Sequence, residues 1–198
     1  KYVNRETKKI LSGIICTHVF GNTSNIDRLK TFCKKKKIFL IEDSSEALGS
    51  KYKKKSLGSY GDIGLLSFNG NKIITSGGGG AMLTNNKKIY LKAKHLSQNA
   101  KIEHDWKYNY NDLGYNIGMP NLNASLGFSQ IIRLNQNINT KKKLYKYYEK
   151  NFSDLKYFKL LKINRNLKSN YWLMTLLITK DSFRERNKII KFLNENKI

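Results

Sequence analysis

At 198 residues, 39% of them hydrophobic and 12% aromatic, the chain can bury a real core and is too apolar to be disordered. No apolar run approaches the roughly 20 residues of a membrane helix, Lys1 to Glu6 carry no apolar signal segment, and two cysteines cannot build a disulfide scaffold. The net charge of +24 comes from 38 basic against 14 acidic residues, yet only Arg5, Arg28, Arg133, Arg165, Arg184 and Arg186 are arginine.

Taken in chain order, Leu11 to Cys16 is an apolar run that reads as a buried strand. Ser24-Asn25-Ile26-Asp27 resembles a capping box, and Ile26, Leu29, Phe32 and Cys33 form the stripe of the helix it opens. Ile38 to Ile41 is a second apolar strand ending in Glu42-Asp43, and Ile63 to Phe68 and Ala81 to Thr84 are two more around a glycine-rich turn. Uniformly apolar strands alternating with a helix predict an α/β domain with helices on both sheet faces.

From Pro120 the pattern changes. Pro120 suits a first helical turn, and Leu122, Leu126, Ile131 or Ile132, and Leu134 continue a helical stripe. After the polar stretch Asn135–Thr140, helix-like residues resume through Phe152. Tyr171 to Thr179 reads as a strand, and Ser182 to Glu185 cap a last helix bearing Ile189, Ile190 and Leu193. The expected division is residues 1–140 and 141–198.

The charge has a bland origin. Lysine, asparagine and isoleucine together are what A/T-rich coding favours, while arginine, the better reader of phosphate and base edges, is scarce. Lys34–Lys37, Lys53–Lys55 and Lys141–Lys143 read as solvated faces, so nucleic-acid binding is not expected. Cys16 and Cys33, outside any CxxC, suit a reducing cytoplasm; His18, His95 and His104 lack metal-ligand spacing, so no metal site is expected. The sequons at Asn22, Asn123 and Asn151 should carry no sugar without a secretory signal.

One constellation carries chemistry. Asp43 stands at the carboxyl end of an apolar strand, where α/β sheets bind ligands. Ser67 ends another strand, Lys72 follows five residues later, and Gly77-Gly78-Gly79-Gly80 lets the backbone approach something bulky. The economical reading is a lysine amine forming a Schiff base with pyridoxal phosphate, with an aspartate keeping the pyridine nitrogen protonated. Each part alone has a plainer reading: a helix-capping aspartate, a solvated lysine, a loose glycine loop.

The wording of these stretches narrows the choice. Thr17-His18-Val19-Phe20-Gly21, Ile41-Glu42-Asp43-Ser44-Ser45-Glu46-Ala47-Leu48-Gly49, Gly61-Asp62-Ile63-Gly64, the run from Ser67-Phe68-Asn69-Gly70-Asn71-Lys72 to Gly80, and Gly114-Tyr115-Asn116-Ile117-Gly118-Met119-Pro120 resemble the DegT/DnrJ/EryC1/StrS family. The resemblance covers most of residues 10 to 135, and SFNGNK–GGGG followed by His95-Leu96-Ser97 is most similar to the branch acting on legionaminic-acid or bacillosamine precursors.

It implies the aspartate-aminotransferase (type I) fold, as a partial large domain plus the start of a small α+β domain. It also implies a pyridoxal-phosphate-dependent enzyme that moves an amino group, from glutamate, to a nucleotide-linked keto-deoxysugar for surface polysaccharide. By the same resemblance Lys72 is the Schiff-base lysine and general acid/base, and Asp43 pairs with the pyridinium nitrogen. Glu46 faces the phenolic oxygen, Ser45 lies against the ring, and Ser67 binds the phosphate. Asn116 reaches the cofactor phosphate of the other subunit in a homodimer. A dehydratase relative would carry histidine where Lys72 stands. Gly118 departs from the family's usual arginine, and the chain is expected to begin inside the large domain and end inside the small one. The alternatives are an inactive remnant or split-gene subunit of such an enzyme, and a basic nucleic-acid-binding module.

Overall fold

The computed structural model describes residues 2–178 and 185–198. Four strands form the main sheet: β1 (Gly13–Thr17), β2 (Phe39–Asp43), β5 (Ile63–Ser67) and β6 (Gly80–Leu83), in the order β1-β2-β5-β6. The first three are parallel, with Thr17 opposite Asp43 and Asp43 opposite Leu65, and β6 closes antiparallel, setting Gly80 beside Ser67. Between β1 and β2 runs α1 (Ile26–Lys36), the crossover a parallel pair requires. Its N-cap is Asn25, one residue after the expected Ser24, and Lys37 ends it in the left-handed conformation.

The core lies on one face of this sheet. Leu40 of β2 meets Ile26 and Cys33 of α1, with Tyr52, Leu57, Tyr60 and Leu167 closing the cluster. Among the described residues the opposite face lacks the expected second layer of helices, with Ile15 68% exposed and Phe39 55% exposed. Strand alternation puts Ile15, Phe39, Ile41 and Asp43 on this open face while Leu40 and Glu42 point into the core.

The two short strands β3 (Lys51–Tyr52) and β4 (Lys55–Ser56) form a hairpin, and β8 (Leu167–Lys168) joins β3 from far along the chain. That pairing carries residues 167–172 into the first half of the molecule. The helix α2 (Lys87–Ser97), which periodicity alone did not suggest, is capped by the Asn86 side chain accepting from Lys88 and Ile89 N–H. Downstream, α3 (Asn121–Ile131) starts one residue later than expected, with Pro120 as its extended N-cap rather than in the first turn, and α4 (Leu134–Asn151) runs unbroken through the polar stretch 135–140. The real interruption falls at Ile132–Arg133. Polarity there marks a solvated helix face, not a break.

A smaller pair, β7 (Phe158–Leu160) and β9 (Leu176–Ile178), replaces the longer strand expected over 171–179. Tyr171 to Thr175 is irregular because Tyr171 is left-handed, and Thr179 and the expected cap Ser182–Arg184 lie outside the described residues. The last helix, α5 (Arg186–Glu195), carries Ile189, Ile190 and Leu193.

Gly64 shows how closely β5 meets the turn after β4. A β-carbon there would sit 1.9 Å from the Gly58 carbonyl oxygen, so backbone must move. Gly64→Ala is expected to cost about 3 kcal/mol, read as a lowered urea midpoint. Gly70, with nothing within 4 Å of its would-be β-carbon, should tolerate alanine within about 0.5 kcal/mol.

Candidate active site

The carboxyl ends of β2 and β5 bring Asp43 and Ser67 to the same side of the sheet, since Asp43 is in register with Leu65, two residues before Ser67. The neighbouring residue Glu42 points the other way and anchors the strand end. Its carboxylate is wholly buried and accepts from His18 Nε2 at 2.9 Å and from the N–H groups of Gly58, Tyr60 and Gly61 at 2.9, 2.5 and 2.6 Å. Burial pushes this carboxyl up, but the bonds from His18, Gly61 and Gly58 outweigh it and hold it below the usual range. His18 N–H also donates to the Asp43 carbonyl at 3.0 Å, tying the end of β2 to the chain after β1. His18 and Glu42 thus support the site from inside the core.

Asp43 Oδ1 accepts from Ser45 N–H at 3.1 Å and from Ser45 Oγ at 2.6 Å. The Ser45 hydroxyl is therefore committed to the aspartate, and the carboxylate is aimed by its own turn. Glu46 Oε2 accepts the Phe20 N–H at 2.6 Å. Phe20 is left-handed at φ 54°, unusual for a bulky residue, and this bond helps hold it there.

Ser67 is half-buried at the end of β5, its hydroxyl 3.5 Å from the Asn69 N–H. The next turn carries Lys72, whose N–H donates to the Asn69 carbonyl at 3.1 Å. Asn123 of α3 and Asn137 of α4 bind the carbonyls of Ser76 and Ile73, fixing this loop from outside. Of the four glycines, Gly77 and Gly79 adopt φ +78° and +83°, and a β-carbon on Gly80 would meet the Leu66 carbonyl at 2.4 Å. The loop's own path explains those three; only Gly78 is open.

Lys72 Nζ lies 4.2 Å from the centre of the Trp172 ring. Trp172 is 6% exposed, donates its indole N–H to the Asn71 carbonyl at 2.7 Å, and stands 6.5 Å from the Phe20 ring. Buried Asn170 donates to the Glu46 and Leu48 carbonyls at 2.8 and 3.0 Å. None of His18, Glu42, Asn170 or Trp172 was singled out from sequence. A glutamate at an inward position of an apolar strand was the available signal for Glu42; nothing local marks Asn170 or Trp172.

Asn116 stands apart from this cluster. It bridges Gln98 and lines a surface hollow of about 770 Å³ with Lys94, His95, Asn111 and His104. Asp43, Ser45 and Ser67 stand at the strand ends, Glu46 follows Ser45 directly and Lys72 lies in the turn after β5, whereas Asn116 belongs to another surface.

An amine in the turn after β5, an aimed carboxylate and a strand-end hydroxyl are groups that suit a cofactor bearing an aldehyde, a basic ring nitrogen and a phosphate. No helix among the described residues is long and apolar enough to cross a membrane.

Comparison with known proteins agrees. The chain is 34% identical over 172 residues to a GDP-perosamine synthase of Escherichia coli O157:H7, covering 87% of this chain and 46% of that protein. It is 32% identical over 174 residues to the Campylobacter jejuni UDP-4-amino-4,6-dideoxy-N-acetyl-β-L-altrosamine transaminase, with the same coverages of 87% and 46%. The fold matches Helicobacter pylori PseC, an aminotransferase of pseudaminic acid biosynthesis, with a TM-score of 0.85 at 25% identity, over 92% of this chain and 50% of that one. The chain spans about half the length of the curated relatives it matches. The profile of the DegT/DnrJ/EryC1/StrS aminotransferase family, a pyridoxal-phosphate-dependent enzyme family, matches residues 1–198, and the chain belongs to that family.

Proposed function

We propose that this chain forms the core of a pyridoxal-phosphate-dependent aminotransferase that moves an amino group, with glutamate as donor, to a keto carbon of a nucleotide-linked deoxysugar. The observation that carries the reading is the placement of Asp43 and Ser67 on one side of the sheet at the carboxyl ends of β2 and β5, with Lys72 in the turn that follows β5, in a chain of this family. Relatives named for GDP- and UDP-linked sugars support the nucleotide-sugar class.

Bound there, pyridoxal phosphate supplies an aldehyde for an amine and a ring that draws electrons from the carbon bearing the nitrogen. The chain does the rest. Lys72 Nζ is the nucleophile toward the aldehyde, the base that takes the proton from the donor's amino-bearing carbon, and the acid that returns one. Asp43, with Oδ1 held by Ser45, keeps the proton on the ring nitrogen. Ser67 Oγ donates to the phosphate. Glu46, with Oε2 on Phe20 N–H, would offer its other oxygen to the cofactor's phenolic group.

In this reading Asn116 serves a second copy of the chain, in keeping with its exposure on a separate surface. A cytoplasmic setting suits two free thiols. The division at residue 140 belongs to the same reading, with α4 bridging the two parts.

The test is borohydride trapping of the purified chain incubated with pyridoxal phosphate, followed by peptide mass spectrometry. A stoichiometric pyridoxyl adduct on Lys72 is expected. Adducts scattered over surface lysines, or none, would reject a working cofactor pocket and favour an inactive remnant.

A further inference from the structure

We infer that Trp172 is a positioning residue for the Lys72 amine: the indole face holds the ammonium group at the mouth of the site. This rests on the reading of Lys72 as the cofactor-binding lysine and names the group that sets its approach.

The argument is geometric. At 4.2 Å from the ring centre, Lys72 Nζ lies well inside the range of a cation–π contact, and tryptophan is the strongest aromatic partner for a cation. The plate under the amine is rigid. Its indole N–H is bonded to the carbonyl of Asn71, the residue preceding Lys72, so ring and lysine share one turn. Its backbone N–H donates to Asn170 Oδ1 at 3.1 Å. Asn170 N–H donates to Ser50 Oγ at 2.9 Å, and Ser50 Oγ to the Gly21 carbonyl at 3.0 Å.

The indole is therefore referenced to two things at once: the Lys72 turn, and the segment carrying Glu46. Tyr171, immediately before it, is left-handed at φ 54°, a conformation that persists in a bulky residue where surrounding contacts over-determine it. Here those contacts are the Tyr145 ring 5.2 Å away and the bond from Tyr171 N–H to Ser169 Oγ at 3.0 Å. Trp172 thus couples residues remote in sequence to the one amine that does covalent work. A long side chain in a lysine-rich protein would otherwise wander through many rotamers. The indole restricts it.

The test compares Trp172→Leu and Trp172→Phe with the unaltered chain in two labelling reactions at one pH. Trace acetic anhydride reports how freely each lysine amine meets a small reagent, with the other lysines as internal controls. Pyridoxal phosphate with borohydride reports how well the Lys72 amine meets the cofactor aldehyde: the amine attacks, the carbonyl oxygen leaves as water, and hydride fixes the carbon–nitrogen bond.

Losing a cation–π contact of this class should raise Lys72 acetylation about threefold to tenfold in Trp172→Leu, lower pyridoxyl trapping there by a similar factor, and leave Trp172→Phe between. Unfolding would raise acetylation at many lysines together. If Trp172→Leu does so, Trp172→Phe decides: a change confined to Lys72 supports the clamp, and none overturns it. Unchanged Lys72 acetylation in both variants overturns it as well. If the unaltered chain traps no pyridoxyl group on Lys72, the cofactor reading fails, while the acetylation contrast still decides whether Trp172 holds the amine.

Discussion

Lys72→Arg is expected to abolish the pyridoxyl adduct and to lower amino transfer from glutamate about ten-thousand-fold or more, followed as conversion of the cofactor's aldehyde form to its amine form. The guanidinium stays protonated throughout the accessible pH range, so it offers neither a nucleophile toward the aldehyde nor a base for the donor's proton. The substitution keeps a cation beside Trp172, and arginine stacks well on aromatic faces. The fold should therefore survive, and an unchanged urea midpoint would separate lost chemistry from lost structure. Residual transfer within tenfold of the unaltered protein would remove Lys72 from its role.

Glu42→Gln carries the largest expected effect on stability. The carboxylate serves His18 and three backbone N–H groups at a position with no exposure to water. An amide offers one acceptor oxygen and turns an NH2 group toward groups that are themselves donors. Breaking a buried, hydrogen-bonded pair of this kind costs roughly 3–5 kcal/mol. In a chain of this size each kcal/mol is worth roughly 2–4 °C in Tm. A thermal or urea transition at neutral pH should register the loss plainly.

The pH dependence has a definite sign. Glu42 is held below its ordinary carboxylate range in the folded protein, so the unfolded chain binds its proton more readily. Its contribution is fully present above the unfolded value and is lost as pH falls through the folded one. The gap in urea midpoint between the unaltered chain and Glu42→Gln should be widest near neutrality and shrink below about pH 4. A gap that grew in acid would mean that Glu42 is protonated in the native state.

Much of the frame was legible in the residues. Apolar runs announced β1, β2, β5 and β6, although one face of the sheet is open and β6 runs antiparallel, and the ends fell within two residues of those expected. Where polarity and helix periodicity disagreed, as at Asn135–Thr140, composition misled: α4 is solvated on one side and needs no apolar residue at every position. α2 escaped notice because it is lysine-rich and buries no residue completely. The strand expected from Tyr171 was overridden by the left-handed turn that seats Trp172.

Short-range patterns were enough for the alternation of strand and helix, the strand-end positions of Asp43 and Ser67, and the Lys72–Gly80 loop, because each depends on residues close in the chain. Tertiary structure alone decided which face of the sheet is open, that Glu42 and His18 lock the end of β2 from within, and that residues 167–172 return to set an indole under Lys72. The last two depend on pairings distant in the chain, 24 residues for His18 with Glu42 and 101 for Trp172 with Asn71, where no local periodicity carries a trace of the partner. The chemistry was written locally. The posture of the amine was not.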